Sequence, residues 1–448
     1  MAIKVYQGKG YWQNGRAFFS DTLEFVLKRQ AELGSFYRLP LPFRRLYICS
    51  DPSIIQEVLV TKQKHFRKSI AYREMRIALG NGLLTSEGDF WLRQRRLIQP
   101  AFHRTALEKL YLTMQSVTAS WLDRLAEEIK VEPIVDMANW MTDLTAEIAL
   151  KTLFSSDKNQ DNPDAARQIA DAQAYVLWRV SRPWLKPIFP LLPRHWKFKR
   201  DMGLFDASVH AMIKERRETA LTHHDLLDLL LHAKDEETGA FMADNQIRDE
   251  VLTLYVAGHD TSSNALSWAC HCLANNPDSL ARLLTEVSYA FPDATPTYTE
   301  LQQLTFTKMV TDEILRLYPP AHGIGREVAQ PVAIADEVLE SGSVIFMSLF
   351  ALHRNPDFWD NPGQFNPDRF SSDHSSNRPK YAYLPFGAGP RMCIGMQFAL
   401  QEIPLILASF VKRFHMEPVP GETTNPEALL TLKPMPGVRV RLSLREPK

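Results

Sequence analysis

Residues 386–395 have the sequence Phe-Gly-Ala-Gly-Pro-Arg-Met-Cys-Ile-Gly, which places one cysteine in a glycine-rich loop just before an apolar helix. Glycine has no Cβ, so the backbone of this loop can turn sharply and approach a flat ligand closely. Arg391 and the N-terminus of the following helix both favour negative charge on the sulfur of Cys393. These features indicate a metal-ligating thiolate; the alternative is a buried cysteine in an ordinary strand-to-helix turn.

The loop pattern F-x-x-G-x-R-x-C-x-G closely resembles the haem-binding loop of the cytochrome P-450 family, the haem-thiolate monooxygenases. The resemblance implies that Cys393 ligates the iron of haem b. It also implies that Phe386, Arg391 and Gly395 contribute to the cofactor site. The fold implied is the cytochrome P-450 fold, a helical body around a long central helix with small mixed sheets at one edge.

A second pattern lies in a predicted helix over residues 247–274, where residues 257–261 read Ala-Gly-His-Asp-Thr. An acid and a hydroxyl are costly in such apolar surroundings unless they are used. Gly258 leaves room for a ligand, and the Thr261 hydroxyl can bond a preceding carbonyl, open the helix locally and admit water. Taken alone, Asp-Thr in a helix more often marks a solvated face. The pattern resembles the oxygen-binding stretch of the P-450 central helix, which implies that Gly258 adjoins the cofactor and that Asp260 and Thr261 relay protons.

Glu313 and Arg316 lie three residues apart, on one face of a predicted helix. Surface ion pairs of this kind are common and contribute little to stability. Residues 365–370 read Phe-Asn-Pro-Asp-Arg-Phe, and the two segments together resemble the E-x-x-R and P-x-R-F pairing of the same family. The resemblance implies that Glu313, Arg316 and Arg369 form a structural cluster that locks the loop bearing Cys393, without a catalytic role.

Four further residues fit the acidic propionates of a haem. Trp91 and Arg95 match the family's W-x-x-x-R pattern, which places an indole donor and a guanidinium one helical turn apart. Arg326 and Arg391 stand at positions that usually reach propionates in the family, so the resemblance implies the same role here. Without the other motifs, Trp91 and Arg95 would equally fit a cation stacked on an indole at a helix surface.

Composition limits the classes of partner and compartment. The 448 residues include 52 Lys and Arg against 52 Asp and Glu, so no global field attracts nucleic acid and no nucleic-acid partner is expected. No uninterrupted apolar run approaches the ~18 residues needed to span a bilayer, so we expect a soluble protein without a membrane anchor. Four scattered cysteines do not make a disulfide framework, which favours a reducing, cytoplasmic compartment.

Periodicity along the chain predicts mainly helix with a small β region, the α+β class. No linker or internal repeat divides the chain, so residues 1–448 are expected to form a single cytochrome P-450 haem domain. The clearest helices are predicted over 107–129, 139–153, 205–218 and 247–274, and strands over 36–39, 46–49, 332–335, 343–346 and 438–442.

The resemblance implies a monooxygenase that inserts one atom of dioxygen into a substrate by hydroxylation or epoxidation. Three other functions stay open: a peroxide-driven peroxygenase, a lipid-hydroperoxide isomerase, and a non-catalytic haem sensor or carrier. Peroxygenases replace both the acid and the alcohol that stand here at Asp260 and Thr261, and the isomerase is expected to lose the alcohol. A sensor has no use for either residue. Turnover with dioxygen and reductant would separate these functions.

Electrons are expected to come from a separate partner, with no fused reductase, because the chain ends at Lys448, shortly after the last family-like strand. A ferredoxin or flavodoxin type donor with its reductase would carry them from NAD(P)H. Arg93 and Arg96 lie beside Arg95 and could steer such an acidic donor. Surface cations without a partner are the alternative.

The segments expected to line the substrate pocket are largely apolar, which favours a hydrophobic substrate such as a fatty acid, a terpenoid or a steroid-like molecule. By resemblance, the pocket residues are Leu254, Ala257, His322, Ile324 and Leu432. Residues 175–200 interleave aromatic and cationic side chains with four prolines, which prevent one continuous helix. This segment is expected to form a mobile lid over the substrate entrance, or else a loop packed permanently on the core.

Overall fold

The computed structural model describes residues 3–8, 10–42, 44–156, 165–219, 223, 225–234 and 239–445. The chain forms two compact units. The first, called here the sheet unit, comprises Met1–Ala71, Lys308–Cys393 and Thr424–Pro436; the second, the helix unit, comprises Tyr72–Thr307, Ile394–Thr423 and Gly437–Lys448. Each unit is assembled from segments that are distant in sequence, and the single haem domain over residues 1–448 stays a prediction.

The strands are short. They are β1 (Lys4–Val5), β2 (Phe36–Leu41), β3 (Arg44–Cys49), β4 (Phe66–Lys68), β5 (Ile134–Asp136), β6 (Gly323–Val328), β7 (Val332–Ile334), β8 (Glu337–Leu339), β9 (Val344–Ser348), β10 (Phe414–Pro418), β11 (Asn425–Ala428), β12 (Leu432–Met435) and β13 (Arg439–Leu444).

Helices make up most of the remainder. They are α1 (Tyr11–Ser20), α2 (Thr22–Leu33), α3 (Pro52–Gln56), α4 (Ile70–Leu79), α5 (Gly88–Ile98), α6 (Arg104–Val131), α7 (Met137–Phe154), α8 (Ala165–Ser181), α9 (Pro193–Glu218), α10 (Leu226–His232), α11 (Asp244–Ala274), α12 (Pro277–Ala290), α13 (Tyr298–Gln303), α14 (Thr305–Leu317), α15 (Leu349–Leu352), α16 (Ser372–Ser375) and α17 (Met396–Arg413). A π-helix spans Glu57–Thr61, and 3₁₀ turns include Pro183–Leu191, Pro367–Phe370 and Gly389–Arg391.

Six strands of the sheet unit form one mixed sheet in the order β1, β2, β3, β9, β6 and β4. The pairs β1–β2 and β3–β9 are parallel and the other three are antiparallel. Tyr47 lies in one apolar cluster and its neighbour Ile48 in another, as the two-residue period of a strand requires. Leu384 and Ala388 belong to the same cluster as Tyr47, so burial of their side chains anchors the loop that leads to the cysteine.

The longest helix of the helix unit is α11, whose 31 residues span about 46 Å at the usual rise per residue. Within this unit it contacts α7, α9, α10, α12 and α17, and most of its side chains are buried. Pro277 lies in the first turn of the next helix, where its missing N–H costs nothing. Helix α11 therefore ends at Ala274, and α12 begins at Pro277. A small sheet of β10, β13 and β5 completes the unit.

The fold class is confirmed, with mainly helical structure and small mixed sheets. The helix predicted over 205–218 is too short, because α9 already begins at Pro193; its first turns are rich in Lys and Arg, which hide the apolar period. Strand β6 was not predicted, since Gly323 and Gly325 have a low preference for strands. Among the described helices, none combines the length and the apolar character needed to cross a bilayer.

Candidate functional site

The loop that carries Cys393 is held in a conformation that two of its glycines make possible. Gly387 and Gly389 have φ values of 71° and 72°, in the left-handed region that other residues rarely adopt. A Cβ on Gly389 would lie 2.0 Å from the carbonyl oxygen of Leu59, so no side chain fits there. The Cys393 N–H donates to the Phe386 carbonyl at 3.0 Å and closes the loop.

Gly395 differs from these two glycines. Its φ is −85°, which any residue adopts, and a Cβ there would meet only Phe102, at 3.8 Å. The turn therefore does not require glycine at this position. The left-handed φ that glycine permits is therefore used at Gly387 and Gly389 but not at Gly395, whose contribution to the cofactor site stays a prediction.

Cys393 is the one exposed cysteine of the chain. The thiols of Cys49, Cys270 and Cys272 are buried, and burial raises the pKa of Cys270 to about 12. Thiolates are the form of cysteine that binds metals, so a buried thiol with a raised pKa is a poor ligand. Of the four cysteines, Cys393 is therefore the one best placed to ligate a metal.

The predicted scaffold residues come together in the sheet unit. Both Glu313 and Arg316 are fully buried, and the Arg316 Nε and Nη2 groups donate to the two carboxylate oxygens of Glu313, each at 2.7 Å. Arg369 lies 3.4 Å from the same carboxylate and donates to the Asn361 carbonyl at 2.9 Å. The Asn366 N–H also donates to Glu313, at 2.8 Å. This carboxylate therefore ties α14 to the chain around residues 361–369.

The remaining Arg316 donors extend the cluster toward the cysteine loop. Its Nη1 donates to the carbonyls of His353 and Pro362 at 2.8 Å each, and its Nη2 donates to the Gln364 carbonyl at 3.1 Å. The His353 imidazole in turn accepts the N–H of Leu384 through Nε2, at 2.9 Å. His353 thus connects Arg316 to Leu384, which lies two positions before Phe386.

Two connections to this loop were missed by the sequence analysis. Because Nε2 of His353 accepts a hydrogen bond, its neutral ring carries the proton on Nδ1, and burial together with Arg316 lowers its pKa to about 3. The Tyr383 hydroxyl donates to the Asp312 carboxylate at 2.8 Å, and burial raises the pKa of Asp312 to about 6. Both pairs join residues far apart in the chain, so no local pattern marks them.

In the helix unit, a few residues in the middle of α11 are accessible, although most side chains of this helix are buried. Ala257 is exposed and Gly258 and Thr261 are half-buried, whereas His259 and Asp260 are buried. A Cβ placed on Gly258 would have no atom within 4 Å, so open space lies beside it. A ligand can therefore approach the helix backbone here.

The polar side chains in this part of α11 do not interrupt the helix. The Thr261 hydroxyl donates to the Ala257 carbonyl at 2.7 Å, as its position four residues later allows. Contrary to the expectation of a local opening, residues 244–274 stay α-helical throughout. His259 bonds the Tyr255 carbonyl through Nδ1 at 2.7 Å, which makes it an ordinary core histidine.

The loop after α4 is fastened to α11 by two carboxylates that the sequence analysis did not identify. The Asn81 N–H donates to Asp249 at 2.7 Å and the Leu83 N–H donates to Glu250 at 2.8 Å. Glu250 is fully buried. These bonds fix the chain that enters α5, the helix bearing Trp91 and Arg95.

The predicted propionate partners are distributed over both units. Trp91 is buried and Arg95 half-buried on α5 of the helix unit, one turn apart. In the sheet unit, Arg326 is buried on β6 and donates to the Gly325 carbonyl at 3.0 Å, and Arg391 is half-buried in the turn before Cys393. Their contact with a cofactor stays a prediction.

The predicted pocket residues differ in their surroundings. Ile324 is half-buried next to Gly387, and His322 donates from Nε2 to the Leu429 carbonyl at 3.0 Å. Leu432 is fully buried in a cluster with Leu23 and Phe350, so its side chain belongs to the core of the sheet unit. Leu254 is also buried on α11.

The residues present fit a haem. In the described part of the chain, no group of three or more His, Cys, Asp or Glu side chains could hold a metal ion. An exposed thiol as the single protein ligand suits a metal whose other ligands come from a porphyrin. In the helix unit, the open space beside Gly258 suits a flat group and the cation at Arg95 suits an acidic substituent; in the sheet unit, the cation at Arg391 suits an acidic substituent as well.

Comparison with known proteins gives one family. A family profile described as cytochrome P450 matches residues 8–440. Cyclooctatin synthase and cyclooctat-9-en-7-ol 5-monooxygenase of Streptomyces melanosporofaciens are each 32% identical to this chain, and the alignments cover 92% and 91% of it and 89% and 88% of the relatives. Taurochenodeoxycholic 6 alpha-hydroxylase of Sus scrofa is 30% identical over 89% of this chain and 82% of the relative. The chain therefore belongs to the cytochrome P450 family and is a P450 monooxygenase.

Proposed function

We propose that this chain oxidises a hydrophobic small molecule, by hydroxylation or epoxidation, with Cys393 as the protein ligand of haem iron. The observation that carries the proposal is the exposed thiol of Cys393 at the end of a closed loop with two left-handed glycines. The proposed substrate is a fatty acid, a terpenoid or a steroid-like molecule. Relatives named cyclooctat-9-en-7-ol 5-monooxygenase and taurochenodeoxycholic 6 alpha-hydroxylase support the two classes of ring-containing substrate.

Haem b, when bound, supplies the activation of dioxygen and the oxygen transfer, and a thiolate ligand favours O–O cleavage. The residues of this chain position and tune that chemistry. Glu313, Arg316 and Arg369 would hold the cysteine loop, and Trp91, Arg95, Arg326 and Arg391 would bind the acidic side chains of the cofactor. The apolar pocket side chains bind the substrate and exclude water.

Dioxygen-dependent turnover is the test of this proposal. Purified haem-loaded protein supplied with reductant and a redox partner should convert a hydrophobic substrate with dioxygen, and the product should carry one oxygen atom from it. Substrates are found by the shift of the haem absorption band when they bind. Turnover with peroxide but none with dioxygen would indicate a peroxygenase, and haem binding without any product would indicate a sensor or carrier.

Proton delivery is assigned to Asp260 and Thr261 of α11. Thr261 lies beside the open space at Gly258, and its hydroxyl, which donates to the Ala257 carbonyl, keeps its lone pairs available as acceptors. Asp260 immediately precedes Thr261 on the helix and is buried. A carboxyl and a hydroxyl on adjacent residues can pass a proton in two steps, from the buried side of the helix to the side that faces the open space at Gly258.

Thr261→Ala and Asp260→Asn should keep the fold and the haem content but lower the yield of product per reductant consumed by about tenfold or more, because both residues move protons. The measurement is product formed against NAD(P)H oxidised. Thr142→Ala is a matched control, since the Thr142 hydroxyl also donates to the carbonyl four residues before it, at 2.7 Å. Unchanged yields in both variants would contradict this proton route.

We also propose a separate electron donor of the ferredoxin or flavodoxin type, with its reductase, and a cytoplasmic location. Four cysteines scattered over 448 residues do not make a disulfide framework, which suits a reducing compartment. Arg96 is exposed on α5, while Arg93 is half-buried with its guanidinium 5.7 Å from the Phe90 ring. An exposed cation of this kind attracts an acidic donor from a distance.

Arg96→Glu, alone and with Arg93→Glu, should slow reduction of the haem by an acidic donor, most strongly at low ionic strength, where charges are least screened. Stopped-flow reduction at several salt concentrations measures the effect. Lys214→Glu on α9, whose side chain is 76% exposed, is the control for a charge change elsewhere on the helix unit. Equal rates for all variants at every salt concentration would rule out this docking face.

A further inference from the structure

One acidic side chain near the cysteine loop has no part in the function proposed above. Asp312 lies on α14 of the sheet unit, immediately before Glu313, and is half-buried. Its carboxylate accepts a hydrogen bond from the Tyr383 hydroxyl at 2.8 Å, and the same hydroxyl lies 3.0 Å from the Asp312 carbonyl. Tyr383 stands three residues before Phe386, where the loop that bears Cys393 begins. One hydroxyl therefore connects the segment that leads into this loop to a single carboxylate.

The Tyr383 ring is fixed by its packing. Its centroid lies 4.8 Å from that of Phe370, 5.5 Å from that of His353 and 6.2 Å from that of Trp359. The next residue in the chain, Leu384, is buried. Because packed rings have little room to turn, a change at the Tyr383 hydroxyl acts on the backbone that leads into the cysteine loop.

The charged groups around Asp312 are of both signs. Arg378, which follows α16, favours the ionised carboxylate. Its guanidinium lies 4.0 Å from the Trp359 ring centroid and donates to the Arg369 carbonyl at 2.5 Å. Within about one turn of Asp312, α14 carries three more charged residues, Lys308, Glu313 and Arg316. Glu313 and Arg316 are already paired with each other, so Arg378 is the cation that opposes the charge of Asp312.

Asp312 changes its charge near neutral pH. Burial raises its pKa from 3.8 to about 6, although the Tyr383 hydrogen bond and Arg378 both favour the ionised form. Burial and the nearby cations lower the pKa of His353 to about 3, so that ring stays neutral. Burial also raises the pKa of Tyr383 well above its usual value, so its hydroxyl keeps its proton. Acidification therefore removes a negative charge at Asp312 and leaves the donor in place.

We propose that Asp312 is a pH-sensitive positioning residue for the loop that bears Cys393: its ionised carboxylate holds Tyr383 and the segment before the loop, and protonation weakens that contact and removes the charge. A hydrogen bond to an ionised acceptor is roughly twice as strong as a neutral one. The expected consequence is a reduction potential of the haem-loaded protein that rises on acidification, since a nearby negative charge favours the oxidised state. The inference rests on the proposed ligation by Cys393 and adds regulation of that site.

The first test is a redox titration of the haem-loaded, full-length protein at several pH values between about 5 and 8. The wild-type potential should rise as the pH falls, with a midpoint near pH 6. Asp312→Asn should lack this step, because its amide keeps an acceptor for Tyr383 but carries no charge. Tyr383→Phe should move the midpoint to higher pH, because the carboxylate loses a donor that favours its ionised form. Asp373→Asn, at an exposed carboxylate on α16, is the matched control and should keep the wild-type step.

Unfolding in denaturant gives a second readout, which does not depend on the reduction potential. A carboxyl whose pKa is raised in the folded chain binds its proton more readily there than in the unfolded chain, so the fold gains stability as the pH falls. With a pKa of 3.8 in the unfolded chain and about 6 in the folded chain, the unfolding constant of the wild type relative to Asp312→Asn should fall about tenfold from pH 7.5 to pH 5.

Three results would overturn the inference. The first is a wild-type protein with the red-shifted carbon monoxide band whose potential shows no step near pH 6, or a step that Asp312→Asn retains. The second is a midpoint that Tyr383→Phe leaves unchanged; this variant keeps the packed ring and decides the question if Asp312→Asn does not fold. The third is a relative unfolding constant that does not change with pH. A wild-type protein without the red-shifted band would instead contradict the ligation by Cys393, and the inference with it.

Discussion

Cys393→Ser should abolish the red-shifted absorption band of the reduced, carbon monoxide-bound protein and, with it, dioxygen-dependent turnover. A serine hydroxyl does not ionise near neutral pH, so the variant would offer haem iron no anionic sulfur as a ligand. The loop itself should keep its shape, because its hydrogen bond from the residue 393 N–H to the Phe386 carbonyl is a backbone bond. The expected loss is therefore one of ligation and not of folding.

Cys272→Ala is the matched control for this change. Cys272 is buried on α11, so its substitution removes a thiol without removing an accessible ligand. The control should retain the band and the activity, with at most a small loss of stability from the vacated volume. A red-shifted band that persists in Cys393→Ser would show that another residue ligates the iron.

The fold could be predicted where burial leaves a regular pattern. Residues 247–274 are apolar over many turns, and α11 differs from its prediction only by three more residues at its start. Strands β2 and β3 carry β-branched and aromatic residues that pack on the two faces of the sheet. Prediction failed at α9, where basic residues on the exposed face interrupt the apolar period, and at β6, where two glycines replace the expected residue types.

The candidate site divides in the same way between local and distant determinants. Glu313 and Arg316 are three residues apart on one helix, so their pairing can be proposed from sequence. The Tyr383 bond to Asp312 joins positions 71 residues apart, and the Leu384 bond to His353 joins positions 31 apart. Only the folded chain brings these groups together. The left-handed conformations of Gly387 and Gly389 could be anticipated from residue type, whereas the close approach of the Leu59 carbonyl to Gly389 could not.

Glu313→Gln and Arg316→Lys should each lower the free energy of unfolding by about 3–5 kcal/mol and reduce haem incorporation, since the first leaves a buried guanidinium without its carboxylate and the second leaves buried acceptors without their donors. In Glu313→Gln, the neutral amide can no longer balance the guanidinium of Arg316. In Arg316→Lys, a single ammonium cannot replace the planar fork that bonds both carboxylate oxygens and three carbonyls. Denaturant unfolding and the ratio of haem to polypeptide measure the two effects.

Glu127→Gln provides the comparison that isolates burial. Glu127 and Lys130 are also three residues apart on one helix, at 2.7 Å, but their side chains are 74% and 56% exposed. Because water screens an exposed pair, this change should alter stability by less than about 1 kcal/mol and leave haem content unchanged. If Glu313→Gln and Arg316→Lys behave like Glu127→Gln, the buried pair does not hold the cysteine loop. If they lose haem while Glu127→Gln does not, the difference comes from burial and from the hydrogen bonds that Arg316 makes to residues 353, 362 and 364, since the spacing on the helix is the same.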